Sequence, residues 1–273
     1  MPAPERLRAR GKVRAMAGPI RLERDGGLAV ATFDSPPLNL FDQTMFEALQ
    51  ATIGEVEVDP PRALLFRAEG RAVSGGVDVH EFEGLTPEQG AQLWDELIGT
   101  VERVEALPLP VIFAAHALTL TAAFELALSC DLIVAARSAK FGLVEKVVGL
   151  TPSMGGTQRL AERAGSSRAA QFVMSGELFS AEELERWGAV NHVWEDDEFE
   201  AQARELAAEL AAGPTKAHAM TKRVLRRFRQ GGVPAADEAI RTEAGELFAT
   251  EDLQRAVKIF LEQGPGHAEF EGR

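Results

Sequence analysis

Apolar positions along the chain alternate between short unbroken runs and longer stretches with helical spacing. Leu28-Ala29-Val30-Ala31-Thr32-Phe33 is an apolar run of strand length, and Ser35-Pro36-Pro37-Leu38-Asn39 after it carries turn residues. Phe41, Met45, Leu49, Ile53 and Val56 then recur at three- and four-residue intervals, which predicts a helix with one buried face. Ala63-Leu64-Leu65-Phe66 predicts a short buried strand. A helix is expected from about Pro87 to Ala106, ended by Pro108 and Pro110, which lack the amide proton a helix needs. Val111 to Ala115 predicts a strand, a helix begins near Ala122, and Leu132 to Ala135 predicts another strand. Strand and helix alternating on this scale predict an α/β core of stacked parallel units.

The pattern changes after about residue 195. Phe199, Ala203, Leu206 and Leu210 share one helical face. Gly213-Pro214 ends that helix and opens the next, and Gly231-Gly232 stops it. A last helix is expected to carry Ile240, Leu247, Phe248, Val257 and Phe260. The chain therefore divides into a core at 19–195 and a helical region at 196–273, a cap or an oligomerisation element. Residues 1–18 stand apart, with Arg6, Arg8, Arg10, Lys12 and Arg14 alternating with small residues. They lack the apolar stretch of a secretory signal and are expected to be a disordered basic tail, or an extension ahead of a true start at Met16.

Composition narrows the function classes. The chain has 273 residues and is 45% hydrophobic, enough for one large core or a core plus a small appendage. Its net charge of −13, from 29 basic and 42 acidic residues, argues against a broad nucleic-acid surface. The single cysteine, Cys130, excludes an internal disulfide framework, and its apolar helical setting marks it as a small buried hydrophobe. No apolar stretch approaches the roughly 20 residues needed to span a membrane, so a cytoplasmic protein is expected. His80, His116, His192, His218 and His267 show no paired ligand spacing, so no metal is expected.

Two glutamates carry the chemistry. Glu125 lies in Thr121-Ala122-Ala123-Phe124-Glu125-Leu126-Ala127, a helix start with no other charge. Glu145 closes the strand-like Phe141-Gly142-Leu143-Val144-Glu145. A glutamate on a helix is most often a solvated face. Apolar surroundings instead raise a carboxyl pKa toward neutrality, and two such groups in one cleft form a general acid/base pair.

Several segments around these glutamates resemble, in the expected order, the signatures of the crotonase (enoyl-CoA hydratase/isomerase) superfamily. They are Ala72-Val73-Ser74-Gly75-Gly76-Val77-Asp78, Pro110 to Asp131, Pro152-Ser153-Met154-Gly155-Gly156-Thr157-Gln158-Arg159-Leu160, and Trp187 to Val193. The resemblance implies a spiral of ββα turns whose helical tail packs between subunits of a homotrimer, or a homohexamer of paired trimers. It implies an oxyanion hole from the backbone N–H groups of Val77 and Ala122, with Glu125 and Glu145 as catalytic residues. Leu38, Asn39, Gly75, Gly76 and Asp78 are the implied substrate-binding residues, the turn at Leu38-Asn39 lying by the adenine end. Lys258 is a candidate for the phosphates. Coenzyme A is then part of an acyl-CoA substrate, with no separate cofactor. Two retained glutamates favour hydration of a trans-2-enoyl-CoA in fatty-acid or related acyl-CoA metabolism. A Δ3-Δ2 enoyl-CoA isomerase, a thioester hydrolase and a non-catalytic subunit of the same fold stay open.

The chain departs from the family pattern in one place above all. Where glycines usually precede the first glutamate, it has Ala117, Thr121, Ala122 and Ala123. The added Cβ atoms are expected to narrow the acyl pocket or shift the Ala122 N–H. His116, at a family asparagine position, is expected to be a satisfied, partly buried histidine. Asp78 and Asp131 are expected to be structural acceptors. Ser74 lacks the context of a nucleophile.

Overall fold

The computed structural model describes residues 18–273, so all but the last residue of the expected basic tail lies outside the described residues. Strands β1 (Ile20–Asp25), β2 (Leu28–Phe33), β3 (Ala63–Ala68), β4 (Ala72–Ser74), β5 (Val111–Ala115), β6 (Leu118–Leu120), β7 (Leu132–Ala136), β8 (Lys140–Gly142), β9 (Phe179–Ser180) and β10 (His192–Trp194) form two sheets. The larger runs β1-β2-β3-β5-β7-β10 and the smaller β4-β6-β8-β9. Both are parallel except for the β1–β2 and β8–β9 pairs. Every residue of β2 and β5 is buried, as expected of strands covered on both faces.

The helices are α1 (Gln43–Val58), α2 (Pro87–Ala106), α3 (Ala122–Ser129), α4 (Gly156–Ala164), α5 (Ser166–Ser175), α6 (Ala181–Arg186), α7 (Phe199–Ala212), α8 (Thr215–Thr242) and α9 (Glu251–Gln263). A strand of the large sheet, a strand of the small sheet and a helix follow one another as β3-β4-α2, β5-β6-α3 and β7-β8-α4. This is the expected ββα spiral. The Asp42 side chain caps α1 by accepting the Met45 N–H, and α1 buries Met45, Leu49, Ile53 and Val56, the predicted face. Thr86 and Gln89 form a reciprocal capping box at the start of α2, which stops before Pro108. All of α3 is buried, as a helix apolar on every side must be.

Two expectations need correction. Helix α7 was grouped with the tail, yet Phe199, Ala203, Ala207 and Ala211 pack on the second face of the large sheet, against Leu28, Val30, Leu65, Ile112 and Val134. The change of pattern near residue 195 marks the end of the last strand, not the edge of the core. The single last helix is in fact several pieces. Ile240 lies in α8, Leu247 and Phe248 in a 3-10 turn (Ala244–Ala249), and Val257 and Phe260 in α9. Thr250 starts α9 afresh by accepting the Leu253 N–H, with Glu251 and Asp252 in the first turn, where the helix dipole favours acids. Gly231 and Gly232 break α8 as predicted, with non-helical backbone at both. Among the described residues, no helix is long and apolar enough to cross a membrane.

One ion-pair cluster ties the helices together. Glu105, near the end of α2, accepts Nε and Nη2 of Arg159 from α4 at 3.0 and 2.9 Å, and Nη1 of Arg229 from α8 at 2.8 Å. The side chains of Arg159 and Glu105 are only 11% and 15% exposed. Removing one partner of a largely buried pair leaves the other charge uncompensated. Glu105→Gln is therefore expected to lower the unfolding free energy by about 3 kcal/mol in urea titrations. A loss below about 1 kcal/mol would show that solvent already screens the pair.

Candidate active site

The small sheet brings the site together. Its neighbours β4, β6 and β8 run parallel, with Ala72 beside Leu118 and Thr119 beside Phe141. Each leads at its carboxyl end into one part of the site: Val77 follows β4, Thr121, Ala122 and Glu125 follow β6, and Glu145 follows β8. Parallel strands put these ends on one edge, although the residues are far apart in sequence. The Thr121 N–H donates to the Gly142 carbonyl at 2.9 Å, which locks the β6 and β8 exits together.

Glu125 sits in the first turn of α3 and is 3% exposed. Its Oε2 accepts the N–H groups of Met154 and Gly156 at 2.9 and 2.6 Å. The contact requires glycine at 156, because a Cβ there would lie 2.7 Å from Glu125 Cγ. Nη1 of Arg159 reaches the Gly155 carbonyl at 3.4 Å, so the Glu105 cluster also steadies this turn. Burial, helped by repulsion from Glu145, pushes the Glu125 pKa up to about 8 against the pull of the two N–H donors and Arg159. With Oε2 held by two donors, the proton of a neutral Glu125 belongs on Oε1.

Glu145 opens a 3-10 turn (Glu145–Val148) instead of ending a strand. Both of its carboxyl oxygens are buried with no hydrogen-bond partner among the described residues. Burial pushes its pKa up to about 7. An unpaired buried carboxyl is costly and marks a site kept for chemistry.

Val77, Ala122, Glu125 and Glu145 line one cavity of about 20 Å³, with Phe82, Trp94, Leu97 and Met154 around them. That volume holds about one water molecule. The Phe82 and Trp94 rings, 5.7 Å apart, pack at its wall. The Ala122 N–H is at the first position of α3, where no intrahelical acceptor exists and the helix dipole favours negative charge. The Val77 N–H, expected to face a substrate, instead donates to Thr121 Oγ1 at 3.0 Å.

The expected substrate-binding residues also converge. Segments 38–41 and 75–78 pair through Gly75 N–H to Leu38 O at 2.8 Å, Phe41 N–H to Gly76 O at 2.9 Å and Asp78 N–H to Phe41 O at 3.0 Å. The Asn39 side chain faces inward. Its Nδ2 donates to the carbonyls of Glu69, Ala72 and Val73, and its Oδ1 accepts the Ser35 N–H. Ser74 Oγ donates to Asn39 O at 2.7 Å and is a clamp for the loop, not a nucleophile. Asp78 caps the following turn by accepting the His80 N–H.

The remaining candidates fall outside the cavity. His116 pairs with the Gly70 carbonyl at 2.9 Å. Asp131 accepts the Val111 N–H and the Lys222 ammonium at 2.8 and 2.7 Å. Burial pushes the Cys130 thiol pKa up, which leaves it inert. Lys258 is exposed on α9. The sequence signalled the missing glycines but not the Thr121 hydroxyl or the two N–H donors on Glu125, which depend on contacts between distant segments.

Comparison with known proteins gives the same family over most of the chain. The family described as Enoyl-CoA hydratase/isomerase matches residues 23–273. The short-chain-enoyl-CoA hydratase of Clostridium acetobutylicum is 32% identical, covering 89% of this chain and 94% of that one. The 1,2-epoxyphenylacetyl-CoA isomerase of Escherichia coli is 34% identical over 69% of this chain and 74% of its own. The crystal structure of an enoyl-CoA hydratase from Bacillus anthracis superposes with a TM-score of 0.86 at 26% identity, covering 93% of this chain and all (100%) of that one. The match over residues 23–273 and the hydratase relative at 32% identity show that the chain belongs to the enoyl-CoA hydratase/isomerase family.

Proposed function

We propose that the protein adds water across the double bond of a trans-2-enoyl-CoA thioester to give a 3-hydroxyacyl-CoA. The observation that carries this reading is the pair of buried carboxyl groups, Glu125 and Glu145, both with raised pKa values, on one cavity beside the N-terminus of α3. The hydratase relative adds support.

The steps balance around one shared proton. The higher pKa of Glu125 keeps the shared proton there at rest. The reacting form is the one in which that proton has moved to Glu145. Ionised Glu125 then takes a proton from water as the oxygen bonds to Cβ. The electron pair of the double bond moves through Cα to the thioester oxygen, forming an enolate. Donors at the oxyanion hole, the Ala122 N–H among them, stabilise that charge selectively, each worth about 3 kcal/mol. Neutral Glu145 then gives its proton to Cα. The pair ends with one proton, as it began, and the reverse reaction exchanges the roles. Coenzyme A enters with the substrate, and its adenine end would lie along the paired segments at Leu38-Asn39 and Gly75-Gly76, with Asp78 shaping their exit. Asn39 would hold the shape of that surface, since its side chain, N–H and carbonyl are all engaged within the fold.

The C-terminal helices suit assembly into a trimer or a hexamer of paired trimers. Phe228, Phe248, Val257, Phe260 and Leu261 are all exposed in the single chain. A role in fatty-acid or related acyl-CoA metabolism in the cytoplasm is the setting this reading implies.

Three outcomes are expected. Because one carboxyl must be ionised and the other neutral, kcat/KM is expected to peak between about pH 7 and 8. It falls below as both protonate and above as both ionise, with the two limbs belonging to the pair. A flat profile from pH 5 to 9 would sink the shared-proton mechanism. Loss of enoyl-thioester absorbance with crotonyl-CoA is expected to slow roughly a thousandfold in Glu145→Gln and in Glu125→Gln. Survival of double-bond migration in Glu125→Gln, with hydration lost, would point to the isomerase. Sedimentation of the wild type is expected to give three or six chains per particle, and a monomer at micromolar concentration would refute the assembly.

A further inference from the structure

Thr121 is held in a backbone conformation that suits glycine, with φ 45° and ψ −119°. A β-branched residue there is strained, and such strain persists where the surroundings enforce it. Its hydroxyl meets one half of the expected oxyanion hole: Oγ1 accepts the Val77 N–H at 3.0 Å, and the other half, the Ala122 N–H, belongs to the next residue. The fit is close: a Cβ on Gly76 would lie 2.7 Å from Oγ1. Thr121 is buried, yet among the described residues no acceptor takes the proton of this hydroxyl. The oxygen thus sits where a thioester oxygen would have to sit to meet the Val77 N–H directly, and it has one donor bond left to give.

We propose that the Thr121 hydroxyl is a catalytic donor of the oxyanion hole: Val77 N–H donates to Thr121 Oγ1, and Thr121 Oγ1–H with Ala122 N–H donates to the thioester oxygen. The proton stays on Oγ1, and no bond is broken. As charge grows on the thioester oxygen, the hydrogen bond from Thr121 strengthens, and the Val77 amide behind it makes the hydroxyl a stronger donor. The reacting oxygen lies one hydroxyl further out than two backbone donors alone would place it. This rests on the proposed enolate chemistry at the same site.

Three variants and two readouts test it. Thr121→Val keeps the branched shape and the strained backbone but removes both the donor and the acceptor of the Val77 N–H. It is expected to stay folded but melt a few degrees below the wild type, and to lose about 10² to 10³ in kcat for the best enoyl-CoA, with KM changed only a few-fold. Thr121→Ser keeps the hydroxyl and is expected to stay within about tenfold of the wild type. Thr121→Gly relieves the backbone, bares the Val77 N–H, and is expected to fall between the valine variant and the wild type. The second readout needs no turnover: the near-ultraviolet enolate absorbance of bound acetoacetyl-CoA. It is expected with the wild type and Thr121→Ser and to be lost in Thr121→Val. A valine or glycine variant as active as the wild type, or more so, overturns the proposal and makes the hydroxyl a plug that substrate displaces. If the wild type hydrates no enoyl-CoA, the hydration reading falls, while the enolate signal still decides the role of Thr121. A wild type without that signal overturns the proposal as well.

Discussion

A carboxyl group buried in an apolar helix is the constraint from which much of this structure follows. Glu125 is almost wholly shielded from bulk solvent, so the fold must supply donors. The N–H groups of Met154 and Gly156 do so from a turn nearly thirty residues away, and only glycine at 156 lets that turn come close enough. Arg159 braces the turn, Glu105 holds Arg159, and Arg229 from α8 closes on Glu105. Helix α8 is thereby coupled to the position of a carboxyl group to which it makes no hydrogen bond.

Electrostatics at the site depend on incomplete satisfaction. Glu125 has two backbone donors, while the Glu145 carboxyl has no hydrogen-bond partner among the described residues, yet both pKa values rise toward neutrality because burial outweighs what stabilises the charged form. A fully solvated pair would ionise together and have no proton to give. A fully neutral pair could not activate water. Burial on one cavity leaves the pair between these limits, at the expense of folding stability.

The small sheet supplies the geometry. Three short parallel strands, β4, β6 and β8, end at one edge and deliver a loop, a helix N-terminus and a 3-10 turn to the same cavity. Thr121 stands where these exits meet. Its amide bonds to the β8 exit and its hydroxyl to the β4 exit. Threonine at this position does more than fill space: it puts a hydroxyl on the Val77 N–H.

The sequence by itself determined which segments are buried and how each is built. Apolar spacing set α1 and its face, unbroken apolar runs set β2 and β5, proline ended α2, and the Gly231-Gly232 pair broke α8. A lone glutamate in an apolar helix start, with ordered motif matches on either side, pointed to the candidate site. What a segment packs against was not legible, because local periodicity encodes burial and not the identity of the partner. Only the tertiary structure decided that α7 covers the large sheet, that the Asn39 amide turns inward to three carbonyls, and that the Thr121 hydroxyl meets the Val77 N–H across two strands. Each of these is a contact between segments far apart in sequence, fixed by strand order and by the need of buried polar groups for partners.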